Sequence, residues 1–190
     1  METRQEKAPL GMRLKKTVAL VGLMGAGKTA VGQALARKLQ VPFVDSDAEI
    51  VKAANMTIAE IFERDGEAFF RRKESQVIAR LLQGPPGILS TGGGAFLSDR
   101  NRREISRYGV SVWLNADLDL LWNRVRHKDT RPLLRTANPY ATLSNLYHQR
   151  RPFYARADLA VKAEPRYSID EMAEAVVRVL ETRPDVLEAK

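Results

Sequence analysis

Gly22-Leu-Met-Gly-Ala-Gly27-Lys28-Thr29 matches G-x-x-x-x-G-K-[ST] at every fixed position. Residues of these types at this spacing can cradle phosphate. The glycines let successive backbone N–H groups point inward, Lys28 reaches the β- and γ-phosphates, and the Thr29 hydroxyl is placed for Mg²⁺. Gly25, Ala26, Gly27, Lys28, Thr29 and Ala30 are the expected nucleotide contacts. The apolar run Thr17–Val21 before the loop and the helix-like run Val31–Leu39 after it supply the context the motif requires. The helix also offers its positive N-terminus to the phosphates. The loop leaves the phosphoryl acceptor open. A guanine-reading N-K-x-D is absent, and no apolar run ends in the acidic pair of a motor ATPase. A small-molecule or nucleotide kinase remains.

The acceptor side must then come from the other loops. Asp45-Ser-Asp47, read as extended chain, turns two carboxylates to one side. One can hold Mg²⁺ through water, and the other can accept a hydrogen bond and a proton from a hydroxyl. The competing reading is a helix N-cap before Ala48-Glu-Ile-Val. Arg71 and Arg72 follow Phe69-Phe70; with Phe70 toward the core, one arginine faces the ligand edge and the other solvent. Glu74 can orient Arg71 as an i, i+3 pair. Thr91-Gly92-Gly93-Gly94-Ala95 has three consecutive glycines, which cost conformational entropy. Close approach to bare backbone is a sufficient reason for them. Arg131-Pro-Leu-Leu-Arg135 lies in the polar, non-periodic segment 127–138, read as a lid that carries Arg131 over the phosphates. His127 is expected to face solvent. Tyr147 and Tyr154 share a helix face near Arg150, and Pro152 ends or kinks that helix.

These residues need elements to position them. Five short apolar runs, Thr17–Val21, Val41–Val44, Gly87–Ser90, Val110–Leu114 and Leu159–Val161, read as strands. Helical patterns lie between them. Thr57-Ile-Ala-Glu60 and Ser168-Ile-Asp-Glu171 are capping boxes, Asp65-Gly66 is a break, Asp117 is an N-cap, and Asn138-Pro139 opens a further helix. Alternation of strand and helix implies βαβ units and a parallel sheet covered on both faces. Ligands in such folds sit beyond the carboxyl ends of the strands, where the candidate residues fall.

The 190 residues suit one domain. The expected division is a basic tail over 1–15, a kinase domain over 16–184 with an acceptor-binding segment near 46–74, and a tail over 185–190. No apolar run approaches a membrane span, and the N-terminus has neither an apolar core segment nor the character of a transit peptide. With no cysteine there can be no disulfide or thiolate chemistry, which suits a cytoplasmic location. Net charge is +8, so nucleic acid must be weighed as a partner. Residues 1–16 carry five Lys/Arg against two Glu, and 100–135 carry nine against four acidic residues. A solvated surface with a field favourable to anions explains that distribution at least as well.

Taken together, Asp45-Ser-Asp47, Ile61-Phe62, Asp65-Gly66-Glu67, Phe70-Arg71-Arg72, Glu74, Gly92-Gly93-Gly94, Arg131-Pro-Leu-Leu and Arg150 to Tyr154, in that order, resemble shikimate kinase. The resemblance spans about residues 17–180. It implies a three-layer α/β P-loop kinase fold with a five-stranded parallel sheet in the order 2-3-1-4-5. It implies transfer of the ATP γ-phosphoryl group to the 3-hydroxyl of shikimate, with Mg²⁺, in chorismate and aromatic amino acid biosynthesis. By resemblance, Thr29 and Asp45 serve Mg²⁺ and Asp47 hydrogen-bonds shikimate hydroxyls as the candidate base. Arg71 and Arg150 hold its carboxylate, and Gly92, Gly93 and Gly94 offer backbone contacts. Lys28 and Arg131 act on the phosphates, while Arg124 stacks on adenine and Arg166 is a late ATP contact. A cytoplasmic monomer with ATP and shikimate as its partners, without nucleic acid or membrane, is expected. The rivals are a gluconate or nucleoside monophosphate kinase, and a nucleic-acid-binding protein that uses ATP as a switch.

Overall fold

Every residue of the run Thr17–Val21 is buried, as a central strand covered on both faces requires. The computed structural model describes residues 11–127 and 134–190. Its first elements are β1 (Met12–Leu14), β2 (Thr17–Val21), α1 (Lys28–Leu39), β3 (Phe43–Asp45), α2 (Ser46–Ala54), α3 (Ile58–Leu82) and β4 (Ile88–Ser90). A 3₁₀ turn (Ala95–Leu97) leads to α4 (Asp99–Tyr108), β5 (Gly109–Asn115), α5 (Leu118–Val125), α6 (Pro139–Tyr154), β6 (Leu159–Lys162), α7 (Ile169–Leu180) and β7 (Leu187–Ala189). Five strands form one parallel sheet in the order β3-β4-β2-β5-β6. Numbered within that sheet alone, the order is 2-3-1-4-5. It sets β4 between β2, which delivers the phosphate loop, and β3, which delivers Asp45.

The main core fills both faces of the sheet, with Leu20, Leu35, Ile78, Leu114 and Val176 among its fully buried members. Gly32 is a packing site: a Cβ there would lie 2.7 Å from the Phe43 ring, so α1 could not approach β3 as it does. A smaller cluster of Ile50, Ile61, Phe70 and Val77 joins α2 to α3. The expected break at Asp65-Gly66 is a kink inside α3, where Gly66 adopts φ 85°, a region that disfavours other residues. The caps at Asn138 and Ser168 form as their sequences imply, the second as a complete capping box. Thr57 accepts from the Glu60 amide. Pro152 lies within α6, which ends two residues later.

The structure departs from the local reading of the sequence in four places. The segments expected as tails meet: β1 pairs antiparallel with β7, and Val186 and Leu187 are buried. Arg13 and Lys15 reach Glu188, and Lys16 reaches Asp185, so basic residues near the N-terminus are matched by acidic ones near the C-terminus. Second, the chain turns helical at Ser46, which places Asp47 in the first turn of α2 and not on extended chain. Third, α4 lacks the apolar stripe that periodicity detects; only Asn101, Arg102 and Ile105 are buried on it. Its Arg100, Arg103 and Arg107 are exposed, so much of the basic cluster beginning at residue 100 is solvated helix. Fourth, Asp117 occupies the N-cap position of α5 without a side-chain cap bond, and its carboxylate accepts from Lys162 at 2.8 Å.

Leu187 is 2 % exposed in the terminal ribbon. Leu187→Ala is expected to lower unfolding free energy by about 2–5 kcal/mol, the usual cost of emptying such a site. Urea denaturation measures this, and a loss below about 0.5 kcal/mol would show that the ribbon adds no packing of consequence.

Candidate active site

On the donor side, β2 runs into the glycine loop and α1 begins at Lys28. Gly27 caps that helix with φ 93°, a left-handed conformation natural to glycine. The first turn of α1 has no acidic residue and its N-cap has no side-chain bond, so the loop end of the helix keeps its positive field for an anion. The Lys28 ammonium lies over the loop, donating to the Gly22 carbonyl at 2.5 Å and to Leu23 at 3.3 Å. Thr29 is exposed beside it. Arg124 of α5 donates to the Gly25 carbonyl at 3.0 Å, and partial burial lowers its pKa.

A cavity of about 430 Å³ opens over this loop, lined by Gly25–Val31, Arg124, Tyr167, Ile169 and Met172 among others. Its mixture of apolar wall and phosphate-binding floor suits a nucleotide. Arg124, which the resemblance assigns to adenine, is on the wall. Arg166 does not line the cavity; it is exposed, with its guanidinium 5.9 Å from the Tyr167 ring. The missed wall residues, Tyr167, Ile169 and Met172, follow β6 at the start of α7. The capping box at Ser168 marks that place in the sequence. Arg131 lies outside the described residues, as does half of the expected lid; Leu134, within the lid, is buried.

On the acceptor side, three side chains from three helices converge on three glycines. A Cβ on Gly92 would stand 2.8 Å from Asp47 Oδ1, one on Gly93 2.9 Å from Arg150 Nη1, and one on Gly94 2.4–2.7 Å from the Arg71 guanidinium. None of these glycines has a positive φ. Their requirement is steric: the backbone after β4 is bare because Asp47, Arg150 and Arg71 occupy the space. Tyr154 is buried against Trp113, its hydroxyl donates to the Gly93 carbonyl at 2.6 Å, and burial pushes its pKa up to about 12.

Arg71 is oriented from its own helix, donating to Glu74 at 2.9 Å and lying 3.6 Å from Glu67. Glu74 is buried, and desolvation raises its pKa against the pull of Arg71. Arg72 is exposed, stacked near Phe69. Asp45 is the N-cap of α2, accepting from the Asp47 and Ala48 amides through Oδ1. Asp47 is raised in pKa by burial and by Asp45, and drawn down by Lys28 and Arg71. The donor and acceptor halves therefore meet at Asp47. Its Oδ1 and the Oε2 of Glu74 are buried without a hydrogen-bond partner. Buried polar oxygens rarely remain unsatisfied, and these two carboxylates lie in the field of Lys28, Arg71 and Arg150.

Mg²⁺ usually keeps several waters and takes only one or two protein oxygens beside a nucleotide. Among the described residues no trio of His, Asp or Glu could cage a metal. The Thr29 hydroxyl at the start of α1 and the Asp45 carboxylate at the end of β3 are suitable donors. Asp45 already spends one oxygen as a helix cap.

The sheet order, the phosphate loop on its first strand and the carboxylates after its second define a P-loop kinase fold. The family profile described as shikimate kinase matches residues 24–181. The shikimate kinase of Ruegeria pomeroyi is 68 % identical over 175 residues, covering 92 % of this chain and 90 % of that one. That of Cereibacter sphaeroides is 64 % identical over 185 residues, covering 97 % and 92 %. The solved shikimate kinase from Acinetobacter baumannii in complex with shikimate superposes with a TM-score of 0.82 at 34 % identity, covering 88 % of this chain and 93 % of that one. This chain belongs to the shikimate kinase family.

The glycine contacts predict a specific defect. Gly94 has φ −93°, which alanine adopts without backbone strain, so Gly94→Ala should still fold, at a cost of about 1–3 kcal/mol as Arg71 gives way beside the buried Glu74. Its methyl would displace Arg71, and acceptor affinity should fall about tenfold or more, the effect of losing a charged hydrogen bond. Titration calorimetry measures both ligands; unchanged acceptor affinity would contradict the steric account. A second expectation concerns pH. Asp47 is raised above 3.8, so the folded state binds its proton more tightly than the unfolded chain and stability falls as pH rises through that region. Asp47→Asn should therefore be more stable than wild type at pH 7, with the gap closing below pH 3.8. Urea midpoints across pH check the sign, and a variant less stable at pH 7 would reverse it.

Proposed function

We propose that the chain transfers the γ-phosphoryl group of ATP to the 3-hydroxyl of shikimate, giving shikimate 3-phosphate and ADP. The observation that carries this reading is the meeting of Asp47, Arg71 and Arg150 at Gly92–Gly94 beside the phosphate loop. A small hydroxylated carboxylate matches that set. Two guanidiniums suit its carboxylate, since charge-assisted arginine pairs are strong and directional. The Asp47 carboxylate suits a hydroxyl and is close enough to Lys28 to lie at the donor side as well.

The residues divide the work. Backbone N–H groups of Gly25–Ala30 and the α1 N-terminus hold the phosphates. Lys28 neutralises charge on the transferring group, a large term in loose phosphoryl transfer. Asp47 orients the acceptor hydroxyl and takes its proton; its raised pKa makes it a better base than an exposed aspartate. Arg71, held by Glu74, and Arg150 fix the carboxylate, while Arg124 borders the adenine end of the cavity and Arg131 supplies charge to the phosphates. Thr29 and Asp45 would hold Mg²⁺, which when bound would supply further charge neutralisation at the phosphates. Arg166 retains only a peripheral role, since Tyr167 and Ile169 line the cavity and it does not. The protein acts in the cytoplasm as a monomer in chorismate biosynthesis, without nucleic acid or membrane as partners. Among the described residues no helix is long and apolar enough to cross a membrane. The ion pairs in the terminal ribbon weaken the case for a nucleic-acid face there.

A coupled ADP-release assay across shikimate, gluconate and nucleoside monophosphates tests the reading. Turnover with Mg-ATP is expected on shikimate alone, and its absence would refute the assignment. Lys28→Ala and Asp47→Asn should each lower kcat by about 10²-fold or more, whereas Arg71→Ala should act mainly on the KM for shikimate. Near-normal kcat in Asp47→Asn would remove its role as base.

A further inference from the structure

The backbone carbonyls from Gly92 to Phe96 are all engaged. Those of Gly92 and Gly94 accept from the Ala95 and Leu97 amides at 3.1 and 3.2 Å. Gly93, Ala95 and Phe96 are served by buried side chains. Tyr154 Oη donates to Gly93 at 2.6 Å, Asn101 Nδ2 to Ala95 at 2.9 Å, and Arg102 Nη1 to Phe96 at 2.7 Å. These three side chains belong to residues only 2 %, 1 % and 9 % exposed. Burying a guanidinium is costly unless it is well held. Arg102 lies 5.9 Å from the Phe96 ring and 5.6 Å from the Phe153 ring, whose faces favour a cation.

The served segment is the one against which the substrate-facing arginines rest. A peptide unit is planar, so holding the Gly93 carbonyl fixes the whole Gly93–Gly94 unit. The two Cα atoms of that unit abut Arg150 and Arg71. We infer that Tyr154, Asn101 and Arg102 are positioning residues for acceptor binding: they hold the 93–96 backbone from its carbonyl side and so set the spacing of Arg71 and Arg150. The inference rests on the proposed reaction, and none of the three needs to touch the substrate. Tyr154 carries a second link, because its hydroxyl and Arg150 Nη1 border the same space beside Gly93, 3.9 and 2.9 Å from where a Cβ would stand.

Steady-state kinetics of the full chain separate this role from a merely structural one. Tyr154→Phe keeps the ring packed near Trp113 and removes one hydroxyl. The KM for shikimate is expected to rise about tenfold, with kcat and the KM for ATP within about twofold of wild type. Ser111→Ala is the control. It removes a fully buried hydroxyl bonded to Asp158, and it should lower Tm without moving the KM for shikimate. Arg102→Met should raise that KM as well, and Arg102→Lys, which keeps the charge and a donor group, should recover part of the loss. Should Tyr154→Phe not fold, the Arg102 pair decides. Wild-type turnover of shikimate, measured first, tests the reaction itself. In an active enzyme, an unchanged KM for shikimate in Tyr154→Phe, or equal losses in Arg102→Met and Arg102→Lys, would overturn the inference and leave the reaction standing.

Discussion

Crowding at the carboxyl end of β4 is the constraint on which the rest of the site depends. Three helices, α2, α3 and α6, each send one charged side chain to the same three residues of backbone. Side chains at those positions would stand where Asp47, Arg150 and Arg71 now lie. The sheet order makes the meeting possible. Because β4 pairs with both β2 and β3, the glycines after it lie between the phosphate loop and the turn that carries Asp47. A different strand order would separate donor from acceptor.

The charges gathered there balance only in part. Asp47 and Glu74 are both held above their ordinary carboxylate range by burial, while Arg71 pulls both down. Each keeps one buried oxygen without a partner. A site in this condition is less stable than an apolar one of the same shape, and it is ready to receive hydroxyl donors at the least reorganisation. Stability given up at the site is recovered elsewhere, in the core around the sheet and in the ribbon that joins β1 to β7.

Much of this was legible in the sequence because each signal was local. The phosphate loop is a fixed spacing, the strands are contiguous apolar runs, and the capping boxes at Thr57 and Ser168 are four-residue patterns. The run of three glycines announced a close approach, but its partners lie some 20 to 60 positions away in sequence order, and only the packing of α2, α3 and α6 reveals them. Of the two readings of Asp45-Ser-Asp47, the helix N-cap holds and the extended chain does not: Asp45 caps α2 and the chain turns helical one residue later. Helix α4 escaped because its inward face is polar: Asn101 and Arg102 spend their donors on carbonyls, which no hydrophobic period records. The terminal ribbon escaped because pairing between residues about 175 apart leaves no local trace. Arg166 was placed by resemblance at a position where the aromatic and apolar neighbours Tyr167 and Ile169 form the wall.

A crystal structure of the protein with shikimate and ADP tests the central claim most directly. The account predicts the shikimate carboxylate between Arg71 and Arg150, within hydrogen-bonding distance of both, with a ring hydroxyl on Asp47 and the ADP phosphates on the Gly25–Ala30 backbone. A carboxylate bound away from both arginines, or a hydroxyl face turned from Asp47, would contradict it.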